Sequence, residues 1–347
     1  MHRKLTLIFA FASIIANGCQ RNRDTIRITG GGSTFVDPIM QKWSAEYKRI
    51  KNIEIDYIAK GSGYGITNLI SRNIDFACSD VPMNAKELEA AQANGGEVIH
   101  IPVAIGAVAI IYNVDVDVML TGKIIADIYL RKITRWNDAE IQKINSKVNL
   151  PDLPISPTAR AESSGTSYIF TEYLSKCDTN FREHIGVTKS PKFPRGVEGK
   201  NGSDGITDFV KVTKGAIGYV ELAYAHKGSV RIASIVNRTG NSIKPNSKSV
   251  STAVTEASRL PQENEPYNLH QLTYSLTDAW GNDSYPIVGA SYGIIFKRIP
   301  KNREAIIDFI RWVTSEGQKY AAELDYAILP EEISVKAHKL LETIIIE

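Results

Sequence analysis

Four turns concentrate the side chains able to hold a charged ligand: Gly32-Ser33-Thr34-Phe35, Gly61-Ser62-Gly63, Ser79-Asp80 and Ser163-Ser164-Gly165-Thr166. Each follows a short apolar run that reads as a strand, and most open a helix-like stretch. Glycine lets the backbone approach a ligand closely, and Ser, Thr and Asp are effective helix caps. The first amides of a helix lack internal partners, and the dipole places about half a positive charge there. Several such ends meeting at one point hold an anion without a lysine. Arg160 adds a guanidinium that can donate two parallel hydrogen bonds to neighbouring oxygens. Asp80 is the odd member, because a carboxylate repels an anion that brings no proton. Taken singly, every one of these turns is ordinary capping chemistry, and Asp80 would simply cap a helix at Val81-Pro82. Only the set points to a ligand.

The elements between the turns alternate strand and helix. Thr25–Thr29, Ile53–Ala59 and Ile74–Cys78 read as strands, and Ile39, Met40, Trp43 and Tyr47 share one helical face. Ile66, Leu69 and Ile70 mark a short helix after Gly61–Gly65, and Ile101–Tyr112 is a continuous apolar run suited to a strand buried on both faces. The scheme repeats with a strand at Ile155–Ala159 and a helix through Tyr168, Ile169, Tyr173 and Leu174. A helix at Gly205–Val212 and strands at Ala216–Val220 and Ile287–Phe296 continue it. Residues 237–270 are polar and turn-rich, with a short helix near Val250–Ala257; two helices, Arg303–Ser315 and Glu316–Leu324, follow the last strand. This order predicts an α/β fold with a largely parallel sheet, in which turns at the carboxyl ends of strands converge. No floppy linker separates two independent domains, so the expected form is two lobes joined by more than one crossing of the chain.

The 347 residues suffice for about two domains. Lys and Arg number 41 against 38 Asp and Glu, which leaves no electrostatic footprint for nucleic acid or an anionic membrane. Any bound anion must be held by local geometry. Met1–Lys4 is basic, Leu5–Ala16 is almost wholly apolar, and Ala16-Asn17-Gly18-Cys19 supplies small residues at a cleavage point. That pattern is a secretory leader over residues 1–18, too short in its apolar part to span a bilayer. Cys19 stands where a bacterial lipobox places the acylated thiol, although Ala16 replaces the usual leucine; lipidation there would anchor the chain at a membrane surface. Cys78 and Cys177 lie among apolar neighbours and read as buried free thiols. The six histidines have no metal-ligand spacing, and no cofactor motif is present.

Longer motifs around the four turns resemble the phosphate-binding proteins of the high-affinity phosphate ABC importer. Gly32-Ser33-Thr34-Phe35 with Pro38 and Trp43, Gly61-Ser62-Gly63-Tyr64-Gly65, Asp75–Asp80 and Arg160–Ser167 carry the likeness. Lys132–Trp136, Asp204-Gly205-Ile206, Gly215–Glu221 and Leu324–Pro330 extend it across nearly the whole chain in the family's order. The resemblance implies an α/β, two-lobed periplasmic-binding-protein fold (type II) with phosphate enclosed between the lobes. Lobe 1 would comprise 24–105 and 288–347, and lobe 2 would comprise 106–287. By motif match, Thr34, Phe35, Ser62 and Asp80 face Arg160, Ser164, Gly165 and Thr166 around the anion, with Ser33 and Glu162 in support. Glu162 stands where the family usually has Asp, and Gly63-Tyr64 departs from the commoner pairs. The implied partners are inorganic phosphate and a membrane permease with cytoplasmic ATPase subunits; the implied location is the periplasm or cell envelope.

The roles suit the ligand. Hydrogen phosphate carries a proton that Asp80 can accept, whereas sulfate has none and meets only repulsion, so discrimination gains from both terms. The alternatives are a receptor for another oxyanion, one that reports to a sensor, and a secreted phosphate-ester hydrolase. Ser164 lies outside a Gly-x-Ser-x-Gly elbow and has no histidine in a recognisable triad context, so the expectation is binding without catalysis.

Overall fold

The structure is a computed structural model that describes residues 26–257 and 264–347. The leader over 1–18 and Cys19 lie outside the described residues. The first strand, β1 (Ile26–Gly32), leads into α1 (Asp37–Lys51), β2 (Ile53–Ala59), α2 (Ser62–Ile70), β3 (Phe76–Ser79) and α3 (Ala85–Gly95). The long strand β4 (Val98–Tyr112) follows, then β5 (Met119–Thr121), α4 (Gly122–Tyr129), α5 (Ala139–Ile144), β6 (Ser156–Arg160) and α6 (Gly165–Cys177). Next come α7 (Thr179–His184), β7 (Glu198–Lys200), α8 (Gly202–Val212), β8 (Ala216–Glu221) and α9 (Leu222–Gly228). Short strands β9 (Arg231–Ile232), β10 (Ser234–Val236) and β11 (Ser242–Ile243) precede α10 (Ser247–Ala257), β12 (Val288–Phe296), α11 (Ala305–Val313) and α12 (Glu331–Leu341).

One sheet runs through the molecule in the order β2-β1-β3-β12-β4-β8-β6-β7. It is mixed rather than largely parallel. β1 pairs in parallel with β2 and β3, and β6 with β7 and β8, but β12 and β8 run antiparallel to β4. The reason is β4 itself: its first ten residues, Val103 excepted, pair with β12 and its last five with β8, so one strand joins two βαβ-built halves. Its burial on both faces, with only Val98 partly exposed, explains the unbroken apolar run. Pro102 has no N–H to donate, and the β4–β12 register slips by one residue there, at Ser291/Tyr292.

The helices follow from local signals. α1 has Pro38 in its first turn, buries Ile39, Met40, Trp43 and Tyr47, and ends at Asn52 with φ 55°. α3 carries a capping box in which Asn84 and Glu87 bond each other's backbone amides. The expected helix over Glu316–Leu324 forms two 3₁₀ turns instead, Glu316–Tyr320 and Ala322–Leu324. The Trp43 indole donates to the Gly317 carbonyl at 2.8 Å, diverting a backbone acceptor, and the Gln318 side-chain Nε2 donates to the Val103 and Val313 carbonyls, pinning the segment to its neighbours. Among the described residues no helix is long and apolar enough to cross a membrane. Cys78 and Cys177 are free thiols, the first buried and the second partly so.

Candidate functional site

The carboxyl ends of β1, β2 and β3 are stitched together before any ligand is considered. Lys60 and Gly61 amides donate to the Gly32 carbonyl, and the Ser33 amide donates to the Cys78 carbonyl at 2.8 Å. Gly32 has φ 132°, and a Cβ there would lie 2.1 Å from the Cys78 oxygen, so only glycine permits this approach. Ser33 then donates its hydroxyl to Asp80 Oδ1 at 2.5 Å and accepts from the Phe35 amide at 2.9 Å. Ser62 accepts from the Asp80 amide at 3.1 Å and donates to Asp80 Oδ2 at 3.4 Å. Asp80 caps no helix, since the chain is not helical at Val81-Pro82 and α3 begins later, behind Asn84. The capping alternative for Asp80 therefore fails, and its carboxylate is turned into the protein.

Arg160 closes β6 with its side chain 1 % exposed. Its Nε donates to Glu162 Oε1 at 2.7 Å and its Nη2 pairs with the same oxygen. The longer glutamate thus reaches the guanidinium, and Oε1 also accepts from the Gly202 amide at 3.1 Å. Nη1 is left to face Thr166 Oγ1 at 3.4 Å and Ser203 Oγ at 3.5 Å. Ser164 caps α6 by accepting from the Ser167 amide, which aims the Gly165 and Thr166 amides outward from the first turn. Beneath the arginine, Tyr219 accepts from its backbone amide at 3.3 Å and bonds Ser167 Oγ at 2.7 Å.

These two groups meet. The Gly165 amide donates to Ser62 Oγ at 3.2 Å, the Gly63 amide to the Ser163 carbonyl at 3.1 Å, and Thr34 Oγ1 lies 3.1 Å from Ser203 Oγ. A Cβ on Gly165 would stand 2.4 Å from Ser62 Oγ and 2.6 Å from Asp80 Oδ2, and one on Gly63 would strike Ser163. Farther out, Lys189 pairs with Glu87, Tyr224 donates to Asp37 at 3.3 Å, and His226 Nδ1 bonds Asp325 Oδ2 at 2.6 Å. The structure therefore brings Ser33, Thr34, Phe35, Ser62, Asp80, Arg160, Ser164, Gly165 and Thr166 into one buried cluster fed by both halves of the sheet, with Glu162 partly exposed at its edge.

The field in the cluster is set by one acid and one cation. Burial pushes the Asp80 carboxyl up to about 6, opposed by the Ser33 hydroxyl, Ser291, the Arg160 guanidinium and Ser62. Among the described residues the Ser291 hydroxyl makes no hydrogen bond of ordinary length, although it is near enough to Asp80 to oppose the shift. Such a group is a hydrogen-bond acceptor at neutral pH whose charge is costly until a donor reaches it.

Known proteins match this chain along most of its length. Residues 20–317 match the PBP superfamily domain. The phosphate-binding protein PstS of Xylella fastidiosa (strain 9a5c) is 35% identical over 316 residues, covering 89% of this chain and 83% of that protein. PstS of Pasteurella multocida is 36% identical over 315 residues, with 89% and 88% covered. The chain belongs to the PstS phosphate-binding proteins. Among solved structures, a high-affinity periplasmic phosphate-binding protein (PfluDING) bound with phosphate superposes with TM-score 0.71 at 20% identity, covering 90% of this chain and 93% of that one. At that identity it speaks for the fold, which is the mixed α/β, two-lobed form of the superfamily.

Three residues of the site were not reached by sequence reasoning. Ser203 adjoins the Asp204-Gly205-Ile206 motif but lies one position outside it. Tyr326, inside the Leu324–Pro330 motif, donates its hydroxyl to the Phe35 carbonyl at 2.6 Å and so holds the first turn from below. Glu221, also within a quoted motif, caps α9 through the Ala223 amide and is held well above the usual carboxylate range by burial. The motifs signalled their presence; only three-dimensional packing shows what they touch.

Proposed function

We propose that this protein is an exported solute-binding protein that encloses hydrogen phosphate between two lobes and delivers it to an ABC permease driven by cytoplasmic ATPases. The observation carrying the reading is the meeting of a buried acceptor, Asp80, with the α6 amides and the paired Arg160 guanidinium in one cluster. Thr34, Phe35 and Ser62 donate from one side, with Ser33 fixing Asp80. Ser164, Gly165, Thr166 and Arg160 donate from the other, with Glu162 holding the arginine. Asp80 accepts the ligand's proton. The lobes are 24–105 with 288–347, and 106–287, and they rotate about the strands that cross between them.

The protein binds and does not turn its ligand over. The Ser164 oxygen accepts from the Ser167 amide, which leaves its proton to donate to the anion, and among the described residues no hydrogen bond joins this hydroxyl to a histidine or carboxylate that would activate it as a nucleophile. Residues 1–18 direct export to the periplasm or cell envelope, where an acyl chain on Cys19 anchors the protein. Calorimetry is the direct test: phosphate binds tightly and sulfate negligibly. Equal affinity for both anions refutes the phosphate assignment, and hydrolysis of a generic phosphomonoester that is lost on mutating Ser164 refutes the binding-only reading.

A further inference from the structure

α8 contributes a group that the eight anion contacts do not include. Its start is built to a fixed position: Gly202 takes φ 69°, its amide donates to Glu162 Oε1 at 3.1 Å, and Thr207 Oγ1 donates to the Ser203 carbonyl at 2.9 Å. The carboxylate that holds Arg160 therefore also holds this turn. Ser203 is 1 % exposed. Among the described residues its hydroxyl bonds no amide of α8; it lies 3.1 Å from Thr34 Oγ1 and 3.5 Å from Arg160 Nη1. Ser203 is the second residue of α8, behind the N-cap Asn201, so capping makes no demand on its hydroxyl. The hydroxyl is aimed across the cleft instead.

We propose that Ser203 is an inter-lobe latch that sets the lifetime of the closed, ligand-bound state. Arg160 Nη1 donates to its oxygen from the same lobe, and Thr34 meets it from the other, so the hydroxyl joins the two residues that grip the anion from opposite sides. The contact with Thr34 exists only when the lobes are together. It therefore acts on ligand release and leaves the encounter with the open protein untouched. Glu162 is the positioning residue, since one oxygen reaches both the guanidinium and the Gly202 amide.

The inference rests on the phosphate reading, and the experiment separates the two. Labelled inorganic phosphate is bound to the full chain and to Ser203→Ala, and its release is followed after a chase with unlabelled phosphate. Association rates and the melting temperature of the ligand-free protein are measured alongside. The latch predicts release about 5- to 10-fold faster in Ser203→Ala, the loss of one buried hydrogen bond, with association and ligand-free melting unchanged. The Thr34→Val, Ser203→Ala double variant should release hardly faster than Thr34→Val alone. Unchanged release in Ser203→Ala, fully multiplicative effects in the double variant, or a loss that tracks a lower ligand-free melting temperature each overturn the latch alone. Failure of the unmodified protein to bind phosphate overturns the functional reading, and the latch with it.

Discussion

Replacing Asp80 by Asn tests the site at its most demanding point. Asp80 is 2 % exposed and its carboxyl titrates near 6, raised from the ordinary value of 3.8 mainly by burial. Between about pH 4 and 6 the folded protein holds a proton that the unfolded chain has released, so stability falls as pH rises through this window and stays low above it. A rise of about two pH units corresponds to about 3 kcal/mol. The ligand-free Asp80→Asn protein should therefore be more stable than the unmodified one at pH 7.5, and its melting temperature should be flat where the other declines. Binding moves the opposite way. The variant loses a charge-assisted acceptor for the phosphate proton, worth about 1.5–3 kcal/mol, or roughly a 10- to 150-fold loss of phosphate affinity. Sulfate gains, because two unit charges about 4 Å apart at an effective dielectric near 20 repel by about 4 kcal/mol. Calorimetry with both anions at pH 7.5, and scanning calorimetry from pH 4 to 8, measure all of this. An Asp80→Asn protein that still binds phosphate at full strength and still excludes sulfate refutes the assignment of Asp80 as the ligand's proton acceptor.

Other outcomes follow from the same geometry. Gly165→Ala puts a methyl group against Ser62 and Asp80 of the opposite half; phosphate affinity should fall about 10- to 100-fold, by the usual penalty for overpacking, while ligand-free melting holds. X-ray scattering should find that variant more open with phosphate present than the unmodified protein; equal compactness counts against direct apposition of the halves. Arg160→Lys keeps the charge but cannot hold Glu162 with one edge and present a second donor to Thr166 and Ser203, so affinity should fall at least about 100-fold. A calorimetric loss under threefold would show that charge alone suffices. Burial pushes the Cys78 thiol far up and the Cys177 thiol up to about 12; peptide mapping after alkylation at pH 8 should find both unmodified until the protein unfolds. Rapid modification of Cys78 in the folded protein would contradict its burial beneath the first turn.

What the sequence made legible follows the range of the forces involved. Helix faces such as Ile39, Met40, Trp43 and Tyr47, and strands such as Ile53–Ala59, depend on local periodicity and appear where periodicity places them. The turns at Ser33, Ser62, Asp80 and Ser164 could be picked out because capping chemistry and glycine spacing are local too. Sheet direction was not legible, because the antiparallel pairing of β4 with β12 and β8 joins residues far apart in the chain. Glu316–Leu324 misled for a related reason: Trp43, distant in sequence, takes the Gly317 carbonyl that an α-helix would use internally, and Val103 holds the Gln318 side chain.

The placement of Asp80 shows the limit most clearly. The Asn84-x-x-Glu87 capping box places the helix start four residues past Asp80 and so removes the cap reading, but nothing nearby in sequence says what the Asp80 carboxylate faces. Ser33 does, by giving its hydroxyl to the carboxylate, and Gly165 does, by leaving no room for a side chain between that carboxylate and α6. Ser33 and the longer contact from Ser62 leave this buried carboxylate with room for one further, stronger donor. The groups around it otherwise favour an anion, and the ligand that satisfies both demands is an oxyanion that brings its own proton. Ser203 matters for the same reason: in a cluster so closely packed, one hydroxyl spanning Thr34 and Arg160 registers whether the two halves are together. The proposed phosphate reading puts selectivity at Asp80, and the proposed latch puts residence time at the contact between α8 and the first turn.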